Sequence, residues 1–297
     1  MTTNHINEIP LILKILSSFF FFLSGLLWKT ILPKNINYEL IFYRTIFSII
    51  FLIMPIIFLS LSHGYFSFGP LIKNGFKEWF FAISICFFSF FGLYYFTYAL
   101  QKGRFIMVLP LSSLTSIFSI ISAFIFFSQI PSTAQLSACI IIILGICIHQ
   151  YNRIKRFKLD MEILFVLLFT FFWGVSFTLY LIPIGFFGPM NFTLILELTV
   201  LVSAWLLIIK KGNKILPSKI DQKSFFSCIL IGLCVAAGSL FSNIALSEVS
   251  VVVNVLISLI FEGIVILFGL RYLKEHIGYK DWILIICVTI SSILVMF

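Results

Sequence analysis

Charge is scarce in this sequence. Lysine, arginine, aspartate and glutamate make up 10% of the 297 residues, against 61% hydrophobic ones, whereas a soluble domain is roughly a quarter charged and half apolar. That shortage excludes an ordinary soluble globular protein. Long polar stretches are also missing. The longest connection between apolar runs covers about 61–77, which leaves no room for a soluble catalytic domain, so any function has to lie between helices inside a membrane.

Histidine is rare: His5, His63, His149 and His276 sit at or beyond the ends of apolar runs, which argues against a histidine proton relay at mid-depth. The six cysteines, Cys86, Cys139, Cys147, Cys228, Cys234 and Cys287, lie within apolar runs, where cysteine behaves as a small hydrophobe. Neither a disulfide framework nor a metal-binding set is legible. No nucleophile–base pair, metal-ligand spacing or phosphate-binding glycine loop is present, so neither an enzyme nor a cofactor is expected, and ATP-driven pumping by this chain alone is not. The net charge of +9 comes from short loops without a basic domain, which argues against a nucleic-acid partner.

What is present is a succession of apolar runs close to the ~20 residues that cross a bilayer as a helix. Ten spans are expected, at roughly 11–31, 38–60, 78–99, 104–128, 133–150, 160–182, 190–209, 224–246, 250–272 and 280–297, separated by punctuation such as Ile130-Pro131-Ser132 and Gly188-Pro189. The expected fold class is an all-α, multi-pass integral membrane protein. The residues before the first span carry no basic n-region or cleavage site, so that span is expected to stay as an anchor. Phe19-Phe20-Phe21-Phe22 and the general wealth of phenylalanine read as lipid-facing bulk.

The spans fall into two comparable halves, 1–150 and 151–297. Trp28 recurs as Trp173, 145 residues on; Gly92, Ala99 and Leu100 recur as Gly238, Ala245 and Leu246, 146 residues on. The same offset carries Ser112 to Ser258 and Gln129 to Glu275. A repeat of five helices is odd in number, so the second half enters the membrane from the opposite face. The halves are then inverted, with a binding site expected at their interface near mid-membrane. Of the 20 basic residues, sixteen fall on one side of the ten spans; Lys14, Lys73 and Lys77 fall on the other, and Arg44 lies within a span. The positive-inside rule then puts Arg153-Ile154-Lys155-Arg156, Lys210-Lys211 and Lys274 in the cytoplasm and both termini outside.

Polar residues at helical spacing inside spans mark candidate sites. Asn254, Ser258 and Glu262 recur every four residues in the ninth span; Ser112, Ser116 and Ser119 follow i, i+4, i+7 in the fourth. The third span offers Tyr94, Tyr98 and Gln101, and the eighth Ser239 and Asn243. The offset of 146 pairs Ser116 with Glu262, so the two stripes would line a shared cavity. The serines serve equally well as small residues that let helices approach, and the tyrosines as cargo-stacking groups or interface anchors. Intramembrane charges weigh more, because a charge at the helix centre costs roughly 2.5–3.5 kcal/mol on insertion scales. Arg44 and Glu197 hold comparable places in the two halves and can form a buried pair that ties them together; Arg44 can instead pair with Glu262 or hold an anionic cargo group. Glu262 reads either as a cavity carboxylate taking a proton or a cationic cargo in turn, or as a structural partner of Arg44.

Leu27-Trp28 and Phe172-Trp173, Tyr98-Ala99-Leu100 and Ile244-Ala245-Leu246, and Leu273-Lys274-Glu275 together resemble the drug/metabolite transporter superfamily, EamA type. The stretch from Tyr38-Glu39 to Arg44 is similar to the second helix of its RarD-like branch. The chain departs from the family pattern at Glu262-Gly263, where a Glu-Pro pair is common, and at Gln129, where an acid is common. The resemblance implies a ten-helix carrier with cytoplasmic termini, opposite to the orientation read from charge. The resulting expectation is a secondary transporter or exporter of a small metabolite such as an amino acid or amine, working by alternating access, with proton coupling through Glu262 and a bacterial inner membrane location. The alternative is a non-transporting membrane component, such as a lipid-translocation or assembly partner.

Overall fold

The computed structural model describes residues 8–63, 69–103, 105–154, 161–212, 217, 219–251, 253–254, 257–258 and 278–294. Glu262 and Glu275 lie outside them. Among the described residues every regular element is helical. In lipid this is the expected result, since a helix is one of the few ways an apolar segment can satisfy its own backbone polar groups.

In chain order the helices are α1 Glu8–Ile31, α2 Asn37–His63, α3 Gly69–Lys73, α4 Phe76–Lys102, α5 Phe105–Ser112, α6 Leu114–Phe127, α7 Thr133–Ile154, α8 Met161–Leu179, α9 Leu181–Phe187, α10 Pro189–Gly212, α11 Gln222–Glu248 and α12 Tyr279–Leu294. Six described segments are long and apolar enough to cross a membrane: Ile9–Ile31, Asn37–Met54, Phe76–Lys102, Ile163–Phe187, Pro189–Lys211 and Gln222–Glu248. Leu114–Phe127, Thr133–His149 and Trp282–Ser291 are shorter apolar helices.

Two expected spans are broken. The run 104–128 divides into α5 and α6 at Ser113, whose carbonyl accepts from the Ser116 amide at 3.0 Å in a tightened turn. The run 160–182 breaks at Tyr180, because Pro183 has no N–H to offer the carbonyl of Leu179; the chain then resumes as α9 and extends the span to Phe187. Gly188, at φ +76, turns it into α10, whose first residue is Pro189.

Helix ends are closed by side chains. Lys29 donates to the carbonyl oxygens of Leu100 (2.9 Å) and Gly103 (2.5 Å), a cation placed on the negative end of α4. Asp221 caps α11, its Oδ2 accepting from the Ser224 amide at 3.2 Å and its Oδ1 from the Ser224 hydroxyl at 2.5 Å.

The halves dock reciprocally. The first helix of each packs on the third helix of the other, α1 on α11 and α8 on α4; the second helices, α2 and α10, pack on each other, and so do α7 and α12. Glycines bring α8 close to α6 and α11 close to α2. A Cβ on Gly174 would meet the Thr115 carbonyl oxygen at 2.7 Å, and one on Gly232 would meet the Arg44 carbonyl oxygen at 2.8 Å. Ser119 and Ser48 donate to the carbonyls of Gly174 (2.9 Å) and Gly232 (3.0 Å), and Thr178 donates back to the Ser119 carbonyl at 3.1 Å. In each half the third helix is also hydrogen-bonded to the second, with amide and hydroxyl exchanged: Asn37 donates to Thr97 at 3.3 Å, and Asn243 to Thr193 at 2.9 Å. Thr97 and Asn243 are 146 positions apart.

Candidate functional site: a cavity between the halves

This packing leaves a cavity of about 280 Å³, lined from α1, α2, α4, α5, α6, α8, α10 and α11 and by Tyr180, Val251, Asn254 and Ser258. Helices α7 and α12 contribute nothing to it. The repeat is visible in the lining: Ser89 and Val235, Leu93 and Ser239, Phe96 and Ser242, and Ser112 and Ser258 all face it at an offset of 146, as do Trp28 and Trp173 at 145.

Arg44 and Glu197 meet there. Arg44 Nη1 lies 2.6 Å from Glu197 Oε2, with the two side chains 3% and 2% exposed. The same nitrogen donates to Ser48 Oγ at 3.3 Å, while the buried Arg44 Nε has no hydrogen-bond partner. Ser112 and Ser116, in the expected fourth-span stripe, line the cavity, as do Asn243, Asn254 and Ser258. Ser258 Oγ donates back to the Asn254 carbonyl at 3.4 Å, which fixes these two residues one turn apart on one helix face. The Asn254 side-chain oxygen is buried without a partner. Ser119 also faces the cavity but is engaged in the bond to Gly174.

Tyr94 and Tyr98 fall outside the lining. Their hydroxyls are 3.4 Å apart, and the Lys211 ammonium donates to the Tyr94 hydroxyl and lies 5.0 Å from that ring's centre. They tie α4 to the end of α10, the reason being that the Lys211 side chain reaches back along α10 to the tyrosines' polar tips. Glu262, on which the expected proton chemistry rests, lies outside the described residues.

Several lining residues carried no signal in the sequence reading. Lys14 lines the cavity and is 8% exposed, donating to Ser242 Oγ at 3.1 Å. Reading sequence order alone, it resembles a span-end charge; reading α1 at helical spacing, Lys14, Ser18, Phe21, Phe22 and Trp28 fall on one face, and all of them line the cavity. The phenylalanine run therefore does not all face lipid: Phe22, half-buried, and Phe21, also partly exposed outwards, line the cavity, whereas Phe19 is exposed and outside the lining. Tyr180 donates to Ser89 Oγ at 2.5 Å, so two cavity residues fix each other. Trp173 sits among Phe96, Phe169 and Phe177, with ring centres at 4.9, 5.7 and 5.6 Å. Its indole presses on Gly92, where a Cβ would come within 2.3 Å of Cδ1.

Chemically the site is an amphipathic pocket: aromatic walls, a band of hydroxyls and amides, one internal ion pair and one lysine. Its size suits a metabolite rather than a macromolecule, near the lower end of the ~300–1,000 Å³ typical of small-molecule pockets. Among the described residues no cluster of histidine, cysteine, aspartate and glutamate could hold a metal ion.

The model of the EamA-like transporter family matches the chain twice, over residues 9–149 and 160–297. The chain belongs to the EamA-like transporter family. This EamA-type chain is a multi-pass integral membrane protein of a family of small-molecule transporters rather than enzymes. One solved crystal structure superposes with a TM-score of 0.64 at 13% sequence identity, covering 94% of this chain and 96% of that one; at that identity the likeness speaks for the fold alone. No curated protein matches the chain. The double match accords with the reciprocal docking of the two halves.

Proposed function

We propose that this chain is a secondary carrier that moves a small metabolite, of the amino acid or amine kind, by alternating access through the cavity between its halves. The observation that carries the reading is the lining itself: equivalent positions of both halves face one space that is polar, aromatic and charged at once, a combination a passive scaffold has no use for. Family membership supports transport in general. The ten-helix count, the division at 150/151 and the inverted relation of the halves belong to this reading. Reciprocal docking of first on third helices supports them, since two halves related by a two-fold axis meet in that way.

In this reading Arg44, Glu197, Ser112, Ser116, Asn243, Asn254 and Ser258 form the cargo site. Glu262 follows Asn254 and Ser258 at the same spacing of four and takes up a proton or a cationic group in turn. Tyr94 and Tyr98 serve outside the cavity, joined to Lys211. The asymmetry of basic residues between the two sides of the ten expected spans supports a cytoplasmic position for the richer side in a bacterial cell, with both termini outside; a C-terminal fusion to a reporter active only in the cytoplasm stays silent if this is right. Transport is tested with the purified chain in liposomes, by uptake and efflux of amino acids, amines and nucleosides with and without a pH gradient. Failure to move any of them in either direction overturns the proposal.

A further inference from the structure

Among the described residues, the cavity lining holds two buried side-chain atoms to which the protein gives no hydrogen-bond partner, and they are opposite in kind. One is a donor. Arg44 bonds to Glu197 Oε2 at 2.6 Å and to Ser48 Oγ at 3.3 Å through a single nitrogen, Nη1, while Nε, on the other edge of the guanidinium plane, is unpartnered. The other is an acceptor, the side-chain oxygen of Asn254. Arg44 is 2% exposed and Asn254 6%, and a polar atom left unpaired at such depth is costly to keep. Stable packing gives no reason for either, since an apolar residue at 254 would fill the place without that cost. Arg44 belongs to the first of the two matched segments and Asn254 to the second, so the unpaired donor and acceptor look onto one cavity from different halves.

We infer that these two atoms receive the opposite poles of a zwitterion: a cargo carboxylate accepts from the Nε edge of Arg44, and an ammonium on the same molecule donates to the Asn254 oxygen. The cargo is then an amino acid with an apolar side chain, rather than an amine, a simple acid or a nucleoside. This rests on the transport reading and narrows it. A guanidinium presents five N–H donors in a planar fork, and the edge formed by Nε and Nη2 matches a carboxylate, so the bond from Nη1 to Glu197 can stay in place while cargo binds. The Arg44–Glu197 pair is already balanced in charge. A cargo bringing one charge would upset that balance in a buried site, whereas a zwitterion brings none in sum. The rings of Trp28, Trp173, Phe96 and Phe177 accept the apolar side chain.

The test uses the full chain in liposomes, with uptake of labelled leucine and phenylalanine and competition by analogues that lack one pole. For leucine these are 4-methylpentanoate and 3-methylbutylamine; for phenylalanine, 3-phenylpropanoate and 2-phenylethylamine. Wild type is expected to carry at least one of the two amino acids, with both of its analogues competing about tenfold or more weakly than the amino acid itself. Asn254→Leu is expected to keep or raise the melting temperature in detergent, because it removes an unpaired polar atom, yet to raise KM about tenfold and to let the analogue without the amino group compete as well as the amino acid. Arg44→Lys keeps a cation beside Glu197 without the fork, and should raise KM about tenfold and abolish the advantage over the amine. Three results overturn the inference while leaving transport standing: analogues that compete as well as the amino acid in wild type, Asn254→Leu with a lower melting temperature and unchanged selectivity, or a wild type that carries other compounds but neither amino acid. Wild type moving nothing in the wider screen removes the transport reading and this inference with it. The wild-type competition and Asn254→Leu keep the test decisive if Arg44→Lys does not fold.

Discussion

Arg44 Nη1 sits 2.6 Å from Glu197 Oε2 and ties the second helix of one half to the second helix of the other, with both side chains buried. A buried pair persists because each charge compensates the other. Arg44→Leu leaves the Glu197 carboxylate without its partner and should cost about 3–5 kcal/mol of stability, read as a fall in melting temperature in detergent. Replacing both residues by leucine should recover most of that loss. A double variant as unstable as the single one would assign the damage to lost packing rather than to an uncompensated charge.

Gly92→Ala brings a methyl group against the Trp173 indole, where the ideal Cβ position is 2.3 Å from Cδ1. The ring has to turn, and it lines the cavity. Gly145→Ala meets the Cβ of Cys287 at 2.7 Å, in the α7–α12 contact away from the cavity. Overpacking of either kind costs about 1–3 kcal/mol. Gly92→Ala should therefore change KM for the transported cargo as well as the melting temperature, and Gly145→Ala the melting temperature alone. Indistinguishable uptake kinetics in the two variants would detach Trp173 from cargo binding.

Glu262→Gln preserves shape and hydrogen bonding while removing the titratable charge. Under the proposed mechanism the variant should respond to cargo gradients but lose its response to an imposed pH gradient in liposomes. Full-rate uptake that still follows the pH gradient would exclude proton coupling through this residue.

Asp221 offers a pH effect outside the membrane spans. The Ser224 hydroxyl, and after it the Ser224 amide, hold its carboxyl below the usual carboxylate range. A folded-state value lowered in this way contributes stability that is present above the unfolded value, about 3.9, and is lost as pH falls through the lower folded value. Melting curves of wild type and Asp221→Ala should thus lie apart at neutral pH and draw together below about pH 4. A constant separation across that range would show that the cap acts without its charge.

Period was the legible part of this molecule. Trp28 and Trp173 lie in one cavity, and Asn254 and Ser258 share a helix face as their spacing of four requires. Rotation and depth were not legible. Whether Phe19 or Phe22 faces lipid depends on how α1 turns against α11, which Ser17 helps to fix by donating to the Gly238 carbonyl at 2.7 Å, and an unbroken phenylalanine run carries no trace of that contact. Lys14 was indistinguishable from a span-end charge because its partner, Ser242, lies 228 positions away. Tyr94 and Tyr98 had the right spacing for a site, but the Lys211 side chain that draws them away comes from another helix. The break at Tyr180 was encoded by Pro183, yet a proline inside a transmembrane helix is often accommodated as a mild bend, as Pro110 is within α5.

The reciprocal docking of α1 on α11 and α8 on α4 has a consequence for how the chain is made. When α1 leaves the ribosome, the surface it finally covers has not been translated, and it has to wait in lipid until most of the chain has followed. Neither half owns a finished interior. Expressed as two separate polypeptides, residues 1–150 and 151–297 should each be cleared by cellular proteases when alone and persist when produced together, so quality control acts on the pair as a single object.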